Sequence, residues 1–278
     1  SCLPPAHGES VVMRILDQSA TSLDLENVGL PEDVYEQITM DVEKPNGIFI
    51  VTGPTGSGKT TTLYSILRRI NQIDTKLLTA EEPVEYNVDG IVQVPIDPKV
   101  GNTFAKVLRA FLRQDPDVIL VGEMRDLETI AAAITAAETG HLVFGTLHTT
   151  GAAETIDRIV DAFPTNQQAQ VRTQLAAGLQ AVISQILLPK QEPNGEVNGR
   201  IAAFEIMVST PAIQSRIRDN KTNMIKSDMQ TGAKFGMTTL DASLTNLYKQ
   251  GLIAYEELIT KSQDPDSVVK QLKEEMGR

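Results

Sequence analysis

The residues best equipped for chemistry lie in one run, GPTGSGKTT, from Gly53 to Thr61. Gly53, Gly58, Lys59 and Thr60 fit the spacing G-x-x-x-x-G-K-[ST]. Glycines let such a loop curl until successive backbone N–H groups converge on phosphate oxygens. A helix starting at the end of the loop adds its positive N-terminus. On this reading Gly53, Pro54, Thr55, Gly56, Ser57, Gly58, Lys59, Thr60 and Thr61 form a phosphate cradle. Lys59 reaches the β- and γ-phosphates of a nucleotide such as ATP, and the Thr60 hydroxyl holds Mg²⁺. The apolar GIFIV before the loop and TTLYSIL after it supply the strand and helix that the motif requires.

Acidic groups that could act on such a phosphate stand at two further points. In DPDVILVGEMRD, Glu123 follows an apolar strand, and the carboxyl ends of strands are where open α/β sheets bind ligands. An Asp often closes this second strand; here Gly122–Glu123 takes its place. Glu123 is a candidate to hold Mg²⁺ through water or to orient the attacking water; pairing with Arg125 at a strand end is the plainer alternative. TAEEPVEY offers Glu81, Glu82 and Glu85. One of these could activate water, and the spacing does not choose between Glu81 and Glu82; a solvated acidic turn is the alternative. His141 and His148 bracket HLVFGTLH, and an offset of seven puts them on opposite strand faces unless the ends bend. His148, at the strand exit, is a candidate γ-phosphate sensor or a structural histidine. Arg109 and Arg113 are four apart on one face of the helix expected in TFAKVLRAFLRQ. They are either a solvated edge or arginine fingers directed at a neighbouring subunit's nucleotide.

The elements that must position these groups follow from periodicity and turn residues. Strands alternate with helices over 47–150, which implies a mostly parallel sheet with helices on both faces. The Ala-rich helix in LETIAAAITAAETG is expected to stop at Gly140. Beyond Gly151 helical patterns dominate, first in TNQQAQVRTQLAAGLQAVISQILL. The apolar stretch Ala176–Leu188 is expected as a buried helix, although it carries Gln180, Ser184 and Gln185. TPAIQSRIRD, LDASLTNLYKQG and DSVVKQLKEEM read as later helices, and EPNGEVNGRIAAFEIM as a hairpin turning on Asn-Gly. Near the start, SVVMRILD reads as a short strand and GLPEDVYEQITMDVEKPNG as a linker with a short helix.

Bulk composition narrows the function classes. The 278 residues are 41% hydrophobic and 22% charged, ordinary values for a soluble globular chain. A net charge of −11 argues against a sequence-independent grip on nucleic acid or anionic lipid. With 4% aromatic residues and no Trp, the chain also lacks the stacking rings of a nucleic-acid translocase. A nucleotide-binding scaffold with little hydrolysis is disfavoured by Lys59, Thr60 and Glu123 together. The single cysteine, Cys2, permits neither a disulfide framework nor a Cys-rich zinc site within the chain. No apolar run approaches the roughly 20 residues of a membrane span. The opening SCLPPAHGES has no initiator Met and no signal-peptide pattern, so the chain is expected to begin inside a larger protein.

Taken together, these blocks resemble the motor ATPases of type II secretion and of type IV pilus assembly and retraction. GPTGSGKTTTLY is similar to their Walker A loop, TAEEPVEY to their Asp box, LRQDPDVILVGEMRD to their atypical Walker B segment, and TGHLVFGTLHT to their His box. The resemblance runs through the whole chain. It implies an α/β fold: a RecA-like P-loop NTPase core with a mostly parallel central sheet over 47–190. A mainly helical C-terminal region follows over 191–278. Residues 1–27 resemble the tail of a preceding domain, and 28–46 its linker.

The resemblance also implies roles. Glu82 takes the place of the Asp-box aspartate, and Glu81 matches the Glu before it, which positions or activates water. Glu123 matches the Walker B Glu, His141 and His148 the His-box pair, and Arg109 and Arg113 basic residues that contact nucleotide within the ring. Arg14 matches an arginine that closes over nucleotide from the preceding domain. The family's hexamers use ATP and Mg²⁺ to move an inner-membrane platform protein from the cytoplasmic side, without nucleic acid. The subtype signals divide: HGESVVMRILD and EEPVEYNVDGIVQVPIDPKVG are similar to the assembly and secretion branch, and RIAAFEIMVSTPAIQSRIRDNK and GMTTLDASLTNLYKQGLI to the retraction branch. The core favours assembly or secretion. The four-cysteine zinc subdomain of many such members has no counterpart in LLPKQEPNGEVNGRI, so no zinc is expected.

Overall fold

Apolar runs of four to six residues, too short to build stable helices, become the interior strands of one sheet. The computed structural model describes residues 2–3, 10–11, 28–30, 35, 39 and 44–276. Cys2–Leu3 (β1) and Ser10–Val11 (β2) form a small antiparallel pair. Tyr35 and Thr39 are helical. The remainder of the expected SVVMRILD strand and of the linker helix, together with Arg14, lies outside the described residues.

The main sheet has seven strands in the order β5-β4-β6-β7-β3-β8-β9. These are β3 (Gly47–Thr52), β4 (Leu77–Glu81), β5 (Ile91–Pro95), β6 (Val118–Val121), β7 (Leu142–Leu147), β8 (Leu179–Gln191) and β9 (Val197–Val208). All pairs are parallel except β8 with β9. Every residue of β3, β4, β6 and β7 is buried, so both faces of the sheet are covered. Phe49 on β3 packs against Phe144 on β7, with ring centroids 5.6 Å apart.

The crossover helices are α1 (Lys59–Ile70), α2 (Phe104–Phe111), α3 (Leu127–Glu138), α4 (Ala152–Asp161) and α5 (Thr165–Gly178). The carboxylate of Asp126 accepts from Thr129 N at 2.9 Å and starts α3; Thr139 caps its other end, just before Gly140. The α/β class, the mostly parallel sheet and the RecA-like core are therefore as the sequence implies. β5 has no counterpart among the expected elements, being a half-exposed edge strand of five residues.

One expectation is corrected. The stretch Ala176–Leu188 is helix only to Gly178; from Leu179 it is strand β8, which lies between β3 and β9. A strand buried on both faces reads as an unbroken apolar run, and periodicity alone cannot separate it from a buried helix. The expected hairpin is β8–β9, turning through Asn194-Gly195 with Gly195 at φ +81°. Residue 190 lies inside β8, so the sheet continues past it to Val208.

The helices α6 (Pro211–Arg218), α7 (Ile225–Gln230), α8 (Leu240–Lys249), α9 (Tyr255–Lys261) and α10 (Pro265–Met276) complete the chain. Leu240, Leu244, Ile253, Leu258, Val268 and Leu272 form a second hydrophobic cluster on Leu188 and Ala203 of the hairpin. Glu205 on β9 joins this cluster to the sheet. Its carboxylate accepts from the backbone N–H of Ala152 at 2.8 Å and of Leu240 at 3.4 Å, and from Gln263 Nε2 at 3.1 Å. Among the described residues no helix is long and apolar enough to cross a membrane.

Candidate active site

The phosphate loop connects the end of β3 to the start of α1. Its shape needs glycine at both ends. Gly53 (φ +141°) would bring a Cβ to 2.2 Å from the Gln185 carbonyl oxygen, and Gly58 (φ +91°) would bring one to 3.0 Å from Gln185 Nε2. α1 begins at Lys59 without a side-chain cap, so its first N–H groups are free to meet an anion. Lys59 Nζ donates to the carbonyls of Gly53 at 2.8 Å and Pro54 at 3.0 Å. Burial draws the Lys59 ammonium below its usual range, and the Glu123 carboxylate offsets part of that.

The acidic groups come from the carboxyl ends of β4 and β6. Glu81 is 4% exposed. Its carboxylate accepts from Tyr64 Oη, from Thr79 Oγ1 at 2.5 Å and from Gln93 Nε2 at 3.2 Å. Burial and the Glu81 contact push the Tyr64 phenol far above its usual range, so it remains a donor at neutral pH. Glu82 is exposed, with Oε2 3.6 Å from Arg125 Nη1. At position 122 a side chain has no room: a Cβ would lie 2.9 Å from the Ala80 carbonyl. That close approach of β6 to β4 moves the acidic residue one step further, to Glu123.

Glu123 Oε1 lies 2.5 Å from Arg125 Nε and 3.2 Å from His148 Nε2. Burial raises the Glu123 carboxyl, but Arg125 and His148 outweigh it and hold the group below the usual carboxylate range. His148 reaches this position because β7 ends at Leu147, beside β6. The following loop is tied to the phosphate loop's own strand: Thr52 Oγ1 donates to the Thr149 carbonyl at 2.7 Å.

These groups surround one cavity of about 610 Å³. Its walls include Thr55, Gly56, Ser57, Gly58, Lys59, Thr60 and Thr61 on one side, with Glu81, Glu82, Glu85, Glu123 and His148 on the other. Gly53 and Pro54 stand behind it, as acceptors for Lys59. His141 is not brought to the cavity. It precedes β7, with Nδ1 2.9 Å from the Ala136 carbonyl and 3.2 Å from Thr139 Oγ1; six strand residues, about 20 Å, separate it from His148. Arg109 is exposed and pairs with Glu128 at 3.3 Å. Arg113 lies beyond the end of α2 at Phe111, so the two arginines do not share one helix face as the spacing suggests.

Phe104, Leu187 and Arg200 line the cavity from outside the motifs, and Tyr64 and Tyr86 line it from the ends of two motifs without having been given a role there. Arg125 was legible beside Glu123. Arg200 and Leu187 arrive through the hairpin, and only the β8 assignment could have placed them.

The family model "Type II/IV secretion system protein" matches residues 1–260. The chain belongs to that family. It is 46% identical over 266 residues to the "Type IV pilus retractation ATPase PilT" of Pseudomonas aeruginosa, covering 94% of this chain and 74% of that one. A "Type II secretion system protein E" of Xanthomonas campestris is 53% identical over 161 residues, 58% of this chain and 28% of that one. Among solved structures, the pilus retraction motor PilT with bound ADP superposes with a TM-score of 0.78 at 45% identity, over 89% of this chain and 69% of that one. The ATPase DotB of Legionella pneumophila gives 0.72 at 31% identity, over 84% of this chain and 64% of that one.

Proposed function

We propose that this family member is a Mg²⁺-dependent ATPase, the subunit of a hexameric motor that powers type II secretion or type IV pilus dynamics. The observation that carries the reading is Glu123, held by Arg125 and His148 in the wall of the cavity that faces the phosphate loop. Lys59 and the free N–H groups at the start of α1 meet the phosphates. Among the described residues no three acidic, His or Cys side chains are grouped to cage a metal. The donor set suits Mg²⁺ nonetheless, because that ion binds through one or two protein oxygens, waters and the phosphates themselves. Thr60 and Glu123 would hold it, and it would neutralise charge developing on the γ-phosphoryl group.

In this proposal Glu82, exposed beside Arg125, and Glu81, fixed beneath it by Tyr64, Thr79 and Gln93, orient the attacking water. His148 senses the γ-phosphate through its contact with Glu123. Arg109 and Arg113 complete the site from a neighbouring subunit, and Arg14 from the preceding domain. His141 is a positioning residue that anchors the start of β7. The motor works in the cytoplasm on an inner-membrane platform protein, without nucleic acid or zinc. Retraction is a second reading of its direction, favoured by one observation: identity across 94% of the chain is 46% to the retraction ATPase and 39% to the pilus assembly ATPase PilB of Pseudomonas aeruginosa.

The test is steady-state hydrolysis of MgATP over a series of protein concentrations, with Lys59→Ala as the blank. Turnover per chain that rises with concentration supports a site completed between subunits. Turnover equal to the blank at every concentration contradicts the ATPase reading for this chain.

A further inference from the structure

The phosphate loop is held in shape by a residue outside every motif. We infer that Gln185, on β8, is a positioning residue that aims the loop's N–H groups at the phosphates; this rests on the nucleotide-site reading above.

β8 runs parallel to β3 with Ser184 opposite Thr52, so Gln185 comes level with Gly53, the first residue of the loop. Its side chain is 2% exposed, and both ends of its amide are used. Nε2 donates to the Ser57 carbonyl at 2.7 Å, and Oε1 accepts from Thr62 Oγ1 in the first turns of α1 at 2.8 Å. Ser57 O can only accept and the Thr62 hydroxyl can donate, so the amide has one satisfactory orientation. The Gln185 backbone carbonyl occupies the space a Cβ on Gly53 would need, and its Nε2 crowds the same space at Gly58. One residue thus touches the beginning, the crest and the end of the loop.

The consequence for binding follows from peptide geometry. In a trans peptide the C=O and the next N–H point in opposite directions. Drawing the Ser57 carbonyl into the protein therefore turns the Gly58 N–H outward, and Gly58 lines the cavity. Glycine at 58 leaves the Ser57–Gly58 peptide free to rotate at little cost, so an outside tether is needed to hold it. Gln185 is that tether. Thr62 fixes the tether in turn.

The experiment measures MgADP affinity by calorimetry and thermal midpoint without nucleotide, on the full 278-residue chain. Gln185→Met keeps the bulk and removes the donor. The affinity for MgADP is expected to fall roughly tenfold or more, the effect of losing an aligned hydrogen bond to a charged ligand. KM for MgATP rises in step, while kcat at saturation stays within about threefold, the signature of lost phosphate binding rather than lost chemistry. A Gln185→Met chain with a lowered thermal midpoint and unchanged MgADP affinity overturns the inference, because the residue would then serve packing alone. If Gln185→Met does not fold, Thr62→Val asks the same question by freeing Oε1: a several-fold loss of affinity supports the tether, and unchanged affinity overturns it. Wild-type chain that binds MgADP no better than Lys59→Ala overturns the nucleotide site itself, and this inference with it.

Discussion

Glu123 and Glu205 stand at the same end of the sheet and are held in opposite ways. Glu123 is 18% exposed in its side chain, and its partners are the half-exposed side chains of Arg125 and His148. Glu205 is 5% exposed and accepts from the first backbone N–H groups of α4 and α8. Long side chains can leave a carboxylate when a ligand arrives; the N-terminus of a packed helix cannot. The first arrangement suits a group that must change partners during a reaction. The second suits a joint, and Glu205 joins the sheet to the second hydrophobic cluster.

Replacing each carboxylate tests that difference. Glu205→Ala leaves two buried N–H groups without an acceptor and is expected to cost roughly 2–4 kcal/mol of stability by urea unfolding. A loss below about 0.5 kcal/mol would remove the joint from the account.

The pH dependence separates the two more finely. Burial pushes the Glu205 carboxyl above its ordinary value of 4.5; the N–H groups of Ala152 and Leu240 offset only part, and the Glu154 carboxylate adds to the rise. The folded chain then keeps this proton to higher pH than the unfolded chain. Glu205's contribution is greatest below pH 4.5 and is lost as pH rises through the folded value. Glu123, lowered from 4.5, has the opposite sign: its contribution is present above 4.5 and is lost as pH falls through its folded value. Urea midpoints of wild type minus Glu205→Gln should therefore decline from pH 4.5 upward, and those of wild type minus Glu123→Gln from 4.5 downward. Parallel slopes would erase the contrast.

The smallest effect is expected at Arg109. Its pairing with Glu128 is exposed on both sides, 54% and 70%, so Arg109→Ala should change stability by less than about 0.5 kcal/mol. A larger drop in turnover at unchanged stability would mark a contact between subunits, and a larger loss of stability would show that the surface pair matters to the fold.

Much of this arrangement is local in sequence and could be read there. The phosphate loop, its strand and its helix are contiguous, and β4, β6 and β7 are apolar runs that end at or within two residues of the candidates Glu81, Glu123 and His148. What escaped depends on pairing across the chain. Gln185 meets Ser57 and Thr62 more than a hundred residues away, and it lies in a run whose burial on both faces hides the strand period. Arg200 lines the cavity only because β9 returns beside β8. The resemblance pairs His141 with His148, but the strand between them keeps the two rings at its opposite ends. Arg113 follows the apolar stripe of α2, yet the helix ends two residues earlier.

The central claim is that Glu123 acts on the phosphate rather than holding the fold. Its most direct test is Glu123→Gln, with MgADP binding, urea stability at neutral pH and steady-state MgATP hydrolysis measured on the same preparation. Binding should stay within about threefold, stability should fall only by the modest contribution of a partly exposed ion pair, about 1 kcal/mol or less, and turnover should fall by at least ~10²-fold, the low end of a lost acid–base role. Turnover near that of wild type would contradict the account and leave Glu123 as a strand-end partner of Arg125.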